Sequence, residues 1–119
     1  MKLEDFRHRW ARLKQDHPMP LIDRRRVIGE RMMISNVTLH EGCRVAPHSH
    51  DNEQFIVLLE GRIRFLVGPT EDSLEEVVLE GGEVYHLKPG VWHGAEALAD
   101  SHVLDLFSPP SEKTGVDAR

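Results

Sequence analysis

Residues 48 to 54, His-Ser-His-Asp-Asn-Glu-Gln, set two imidazoles one residue apart and follow them with an acid beside an amide. In an extended segment residues two apart share a face, so His48 and His50 point the same way. Two neutral imidazoles that converge on one point form a metal-ligand arrangement. A third ligand has to lie on that face. Parity selects Gln54 over Glu53 if the chain runs without a bulge between Asp51 and Gln54; a bulge selects Glu53 instead. A fourth ligand has to come from elsewhere. His93, just after the Pro89-Gly90 turn, is one candidate, and His86 is the other. Oxygen and nitrogen donors without sulfur suit Mn, Fe, Ni, Co or Zn.

A second chemical feature lies near the C-terminus. In His102-Val-Leu-Asp-Leu-Phe107, alternation puts Val103, Asp105 and Phe107 on one face and His102, Leu104 and Leu106 on the other. An ionised carboxylate on an apolar face is costly unless it is paired or lies near a cation. Asp105 therefore either faces a metal or its bound water, or turns outward to solvent or to Arg62 or Arg64. His86 suits a pocket wall or a hydrogen-bonded barrel position better than a ligand. Trp92 either lines a cavity mouth or packs. Of the adjacent Met32 and Met33, one faces in and one out. Nothing beside Cys43 resembles a nucleophile's base, and Cys43 is expected to be inert.

Short strands have to position these groups. Leu3, Phe6, Trp10 and Leu13 recur at helical spacing and predict an amphipathic helix over residues 1–18, ended by His17-Pro-Met-Pro20. The barrel is expected over 24–110 and a frayed tail over 111–119. Within the barrel, residues 31–39 read as a strand, and a turn at Glu41-Gly42 leads to another. Residues 54–67 read as two strands about a turn at Glu60-Gly61. Residues 76–87 add two more strands about Gly81-Gly82. Lys88 to Ala97 read as a loop with a Pro-Gly turn, and 102–107 as the last strand. Many short strands with turn signals point to an all-β sandwich or barrel. Gln54, Ile56 and Leu58 share one face of their strand, and Phe55, Val57 and Leu59 the other. Both faces are apolar, so the outer one needs a cover, either the N-terminal helix or the second subunit of a homodimer.

The chain has 119 residues, which suits one domain with its own core. A single cysteine excludes an internal disulfide and suits a reducing compartment. The charged N-terminus does not read as a signal peptide, and no apolar run approaches a membrane span, so a cytoplasmic protein without membrane partners is expected. A formal net charge of −5 argues against general nucleic-acid binding. The one basic run, Arg24 to Arg26, reads as a solvated or ion-paired segment, or more sharply as an arginine for an anionic substrate or a dimer contact.

These spacings resemble the two motifs of the cupin family. The first family motif is G-x5-H-x-H-x(3,4)-E-x6-G, and this chain has Gly42, His48, His50, Gln54 and Gly61 at those intervals, with Gln54 in place of the acid. The second is G-x5-P-x-G-x2-H-x3-N, matched by Gly82, Gly90 and His93, with Lys88 and Ala97 departing from it. The resemblance covers about residues 27–108. It implies a small jelly-roll β-barrel holding a divalent transition metal inside through His48, His50, Gln54 and His93. Three imidazoles and an amide are all neutral. A metal there would keep its full charge, bind less tightly than at a carboxylate site, act as a stronger Lewis acid and attract anions.

Within the family, His-Ser-His-Asp-Asn-Glu-Gln, Pro-Gly-Val-Trp-His-Gly and Asp-Leu-Phe-Ser-Pro resemble single-domain cupins of pectin degradation, which open the ring of an unsaturated uronate to a linear keto sugar acid. The resemblance implies a small carboxylated carbohydrate as substrate, Asp105 as general acid/base and Phe107 as pocket wall. An arginine that follows the phenylalanine by four residues in that group is Ser111 here, and the nearest basic residue is Lys113. Two other functions suit the same ligands: a metal-dependent dioxygenase, and a non-catalytic domain that holds a metal or small ligand.

Overall fold

The computed structural model describes residues 1–111. Residues 112–119 of the expected tail, with Lys113, lie outside the described residues. Nine strands follow in order: β1 (Ile22–Ile28), β2 (Met33–Leu39), β3 (Arg44–His48), β4 (Glu53–Glu60), β5 (Arg62–Gly68), β6 (Glu75–Glu80), β7 (Val84–Leu87), β8 (Trp92–Ala97) and β9 (Ser101–Ser108). They form two antiparallel sheets, β1-β2-β9-β4-β7 and β3-β8-β5-β6, which face each other as a jelly roll. Alternation decides which side chains enter the core between them. Along β2, Met33, Ser35, Val37 and Leu39 are buried and the residues between them are not. Along β4, Gln54, Ile56 and Leu58 point inward, and along β9 Val103 and Phe107 do.

The chain departs from the expected elements at three places. The N-terminus is not one helix to residue 18 but two 3-10 turns, Leu3–Phe6 and Trp10–Arg12, neither with a buried residue. Leu3 and Phe6 stay exposed. An apolar stripe holds a helix only when it packs along its length, and here Trp10 and Leu13 are only half-buried while Leu3 and Phe6 stay in solvent. Lys88 to Ala97 is not all loop: after the turn at Pro89-Gly90 the chain enters β8, which sits inside its sheet between β3 and β5. The barrel also begins two residues before the expected start, at Ile22, because the arginine run belongs to a strand. Asp16 lies against β1, exchanging backbone hydrogen bonds of 2.8 and 2.9 Å with Arg24.

The outer face of the five-stranded sheet carries an apolar patch, bordered by Arg25, Asn36 and His86. Register aligns Val27, Ile34, Leu106 and Phe55 in one row across four strands, and Leu104, Val57 and Val84 in the next. Phe55 and Val84 are exposed in the single chain. No described helix is long and apolar enough to cross a membrane.

Leu58 is 1% exposed at the centre of the core. Leu58→Ala is expected to cost about 2–5 kcal/mol, read by urea denaturation.

Candidate metal centre

Three imidazoles converge inside the barrel from three places in the chain. His48 closes β3, His93 is the second residue of β8, and His50 lies in the connection from β3 to β4. Their ring centroids are 4.4 Å (His48–His93), 5.0 Å (His50–His93) and 5.8 Å (His48–His50) apart. One ring nitrogen from each falls within 4.8 Å of the others.

Local backbone features bring them together. His48 and His93 are register partners across β3 and β8. Two steps away Val45 pairs with Ala95, so Ala46 and Pro47 together oppose the single residue Gly94. This is a β-bulge, and it lets Val45 and His48, three apart, both face inward. Gly94 is what permits it, because a Cβ there would stand 2.9 Å from the carbonyl oxygen of Val45 and 3.0 Å from the nitrogen of Pro47. The Gly90 N–H donates to the carbonyl of His50 at 2.9 Å, which ties the turn before β8 to the loop that carries His50.

Hydrogen bonds also select the nitrogen that each ring presents. Nδ1 of His48 donates to the carbonyl of Ala46 (3.0 Å), Nδ1 of His50 to that of Asn52 (3.0 Å) and Nδ1 of His93 to that of Val91 (2.9 Å). A carbonyl only accepts, so the proton sits on Nδ1 and the lone pair on Nε2. Burial, reinforced by the neighbouring His48 and His50, pushes His93 down to about 4, which keeps it neutral. Three neutral nitrogen donors converging in a cavity fit a divalent transition metal.

Gln54 and Asp105 stand beside the triad. Gln54 is 5% exposed and faces inward, whereas Glu53 turns outward and accepts from Nε2 of His86 at 2.6 Å. His86 also stacks on Phe55 at 4.4 Å, on the outside of the barrel. The amide of Gln54 is oriented by its Nε2, which donates to Oδ1 of Asp105 at 3.1 Å; its Oε1 then lies 3.1 Å from Nε2 of His50. With the His50 proton on Nδ1, both of these atoms are lone-pair donors, an opposition that a cation between them relieves.

Asp105 points inward between Val103 and Phe107, partly accessible through the cavity, and not toward Arg62 or Arg64. Loss of hydration pushes its carboxyl up to about 7, although the bond from Gln54 works in the opposite direction. Phe107 is 3% exposed and meets the His50 ring edge-on at 5.8 Å. The cavity between the sheets measures about 70 Å³ and is walled by these groups, by apolar residues such as Val45 and Phe65, and by Ser35 and Arg24. Sequence reading did not single out Ser35. It left Arg24 in a run read mainly as solvated, although alternation from Ile22 points it inward. Cys43 is buried and its thiol lies 3.9 Å from the carbonyl of Pro20, a packing role.

Comparison with known proteins agrees with this fold. The Cupin domain family model matches residues 35–107, and the chain belongs to the cupin family. KdgF from Halomonas sp. superposes with a TM-score of 0.74 at 26% identity, over 86% of this chain and 93% of that one. An RmlC-like cupin from Shewanella frigidimarina gives 0.76 at 21% identity over 88% and 91%. Oxalate decarboxylase from Bacillus subtilis, described with Mn(II) centres, gives 0.77 at 17% identity, over 88% of this chain and 30% of that one, a likeness of fold alone. Among curated proteins, no sequence matches.

Asp105 makes stability depend on pH with a definite sign. Its folded value, about 7, lies above the ordinary carboxyl value of 3.8. The folded state therefore holds this proton more tightly, and metal-free protein loses that contribution as pH rises through the interval. Asp105→Asn removes the effect, so its stability relative to wild type is expected to grow from pH 4 to pH 7 and then level off, read by denaturation of both metal-free proteins. A difference independent of pH would place the carboxylate in solvent.

Proposed function

We propose that this cupin is a metal-dependent enzyme acting on a small carboxylated carbohydrate, and that it opens the ring of an unsaturated uronate. The observation that carries the proposal is the joint placement of Asp105 and Gln54 on one cavity wall beside three inward imidazole nitrogens. Two likenesses support the substrate class: the motifs resemble those of the uronate ring-opening cupins, and the fold is similar to that of Halomonas KdgF.

His48, His50, His93 and the Oε1 of Gln54 would hold the metal. Nε2 of His50 and Oε1 of Gln54 stand 3.1 Å apart, so both donor atoms would be available to the same ion. Bound there, a divalent metal supplies Lewis acidity to a substrate hydroxyl or carbonyl. The chain's own residues handle the proton. Ring opening of an unsaturated uronate is an isomerisation. The anomeric hydroxyl loses its proton, the bond from the anomeric carbon to the ring oxygen breaks, and the enol so released takes a proton on carbon to become the ketone. A carboxyl held near 7 can take the first proton and return the second at neutral pH. Gln54 fixes one oxygen of that carboxyl. Phe107 closes the wall and excludes water.

Asp105→Asn should keep its metal and lose about 10²–10⁴-fold in turnover, followed by the disappearance of the ring alkene. His93→Ala and Gln54→Ala should lower the metal content of protein purified without added metal, measured by elemental analysis. Full turnover in Asp105→Asn would remove it from the chemistry, and oxygen consumption in step with turnover would select the dioxygenase instead.

The apolar outer sheet face supports a second proposal, that two copies pack through it as a homodimer. Light scattering should then give twice 13.6 kDa, and Phe55→Glu should give the monomer.

A further inference from the structure

Strand β2 carries one polar side chain into the barrel. On its inner face Ser35 stands between Met33 and Val37, and the three are 2%, 1% and 5% exposed. A buried hydroxyl that finds no partner destabilises a fold, and an alanine in this place would have no such cost. Among the described residues nothing hydrogen-bonds the Ser35 hydroxyl. The residue is not walled in, however, because it lines the cavity.

Asp105 has the same unspent capacity. Its Oδ1 accepts from Gln54 at 3.1 Å, whereas its Oδ2 has no hydrogen-bond partner among the described residues. Register makes Ser35 and Asp105 direct neighbours across β2 and β9, and both side chains line the cavity. Directly opposed residues hold their Cβ atoms about 4.5–5.5 Å apart. An oxygen between the two side chains can reach both, since each O–H···O bond spans about 2.7–2.8 Å. The two groups offer different things. A serine hydroxyl can give a proton, and an ionised carboxylate only accepts one. A ligand group that satisfies both must accept from Ser35 and donate to Asp105, and a hydroxyl does so. An ether or keto oxygen leaves Asp105 unmet, and an apolar group leaves both unmet. A cavity of about 70 Å³ takes the hydroxyl-bearing end of a ring, though not a whole sugar.

We infer that Ser35 is a specificity-determining residue, whose hydroxyl donates to the anomeric hydroxyl of the sugar acid while Asp105 accepts that hydroxyl's proton. The inference rests on the sugar-acid reading of the cavity and deepens it. The anomeric hydroxyl is the one selected because it is the group that loses a proton when the ring opens. Its oxygen becomes the carbonyl oxygen of the opened chain, and a bond donated by Ser35 favours the negative charge it carries on the way. A serine that merely fills space between Met33 and Val37 predicts instead that a side chain of the same size serves equally well.

The test is calorimetric titration of Mn(II)-loaded protein with galacturonate and with its 1-deoxy analogue, in which hydrogen replaces the anomeric hydroxyl. Wild type should prefer galacturonate about tenfold or more. Ser35→Ala should bind galacturonate about fivefold or more weakly, with the 1-deoxy compound within about twofold of wild type. Ser35→Cys, close to serine in size but a weak donor, should behave like Ser35→Ala. Urea denaturation of metal-free Ser35→Ala should give a midpoint no lower than that of wild type, because the hydroxyl it removes has no partner in the fold. The inference is overturned if wild type shows no preference, if Ser35→Ala keeps it or weakens both compounds alike, or if Ser35→Cys keeps it in full. Wild type that binds neither compound overturns the inference together with the sugar-acid reading. Turnover of an unsaturated uronate is scored separately. Its absence beside a Ser35-dependent preference refutes ring opening and leaves the serine's role standing. Turnover with kcat/KM unchanged in Ser35→Ala removes the serine and leaves ring opening standing.

Discussion

An imidazole offers a lone pair to a metal only from the nitrogen that has no proton, and everything at this site follows from fixing which nitrogen that is. Three backbone carbonyls do so, each accepting from Nδ1 of a histidine two residues away. Because these partners are backbone, the orientation of each ring is a property of the local chain path. The path in turn depends on the bulge of β3 opposite Gly94 and on the bond that joins Gly90 to His50. The core around them, from Ile56 to Val103, then has only to exclude water.

The neutrality of the donors gives Asp105 its importance. With no acid among the inward nitrogens and the Gln54 amide, the single carboxyl on this wall is set apart from the histidine cluster and keeps a proton near neutral pH. Gln54 lies between the two, one end of its amide toward Asp105 and the other toward His50. A glutamate in its place would confront Asp105 with a second acid, so the amide suits the carboxyl as much as it suits a metal.

Much of this was legible in the sequence, though not always for the reason first apparent. The glycine spacings and the alternation in β9 placed the barrel, and Val103, Asp105 and Phe107 do share its inner face. Gln54 faces inward and Glu53 outward, as parity from His48 suggested. Yet β3 and β4 belong to opposite sheets, and the chain crosses between them over residues 49–52, so parity was not transmitted along a continuous strand. The agreement comes from the alternation within β4 itself. Local pattern failed where distant contacts decide. The stripe from Leu3 to Leu13 has helical period, but its first half, Leu3 and Phe6, finds no surface to cover. The Pro- and Gly-rich run before Ala97 looked like a loop, because the reason for Gly94 is a strand 46 residues earlier in the chain, at the bulge beside His48. The arginines of β1 read as solvated because their counter-ion, Asp16, approaches from outside the strand.

The crossing at residues 49–52 has a mechanical consequence. His48 and His93 belong to one sheet and Gln54 to the other, with His50 on the connection between them. An ion held by all four would act as a rivet through both layers of the sandwich. Binding energy then becomes resistance to the sheets parting, by an amount that grows with the logarithm of free metal. The barrel that shields the ion from water would be, to that extent, clamped shut by it.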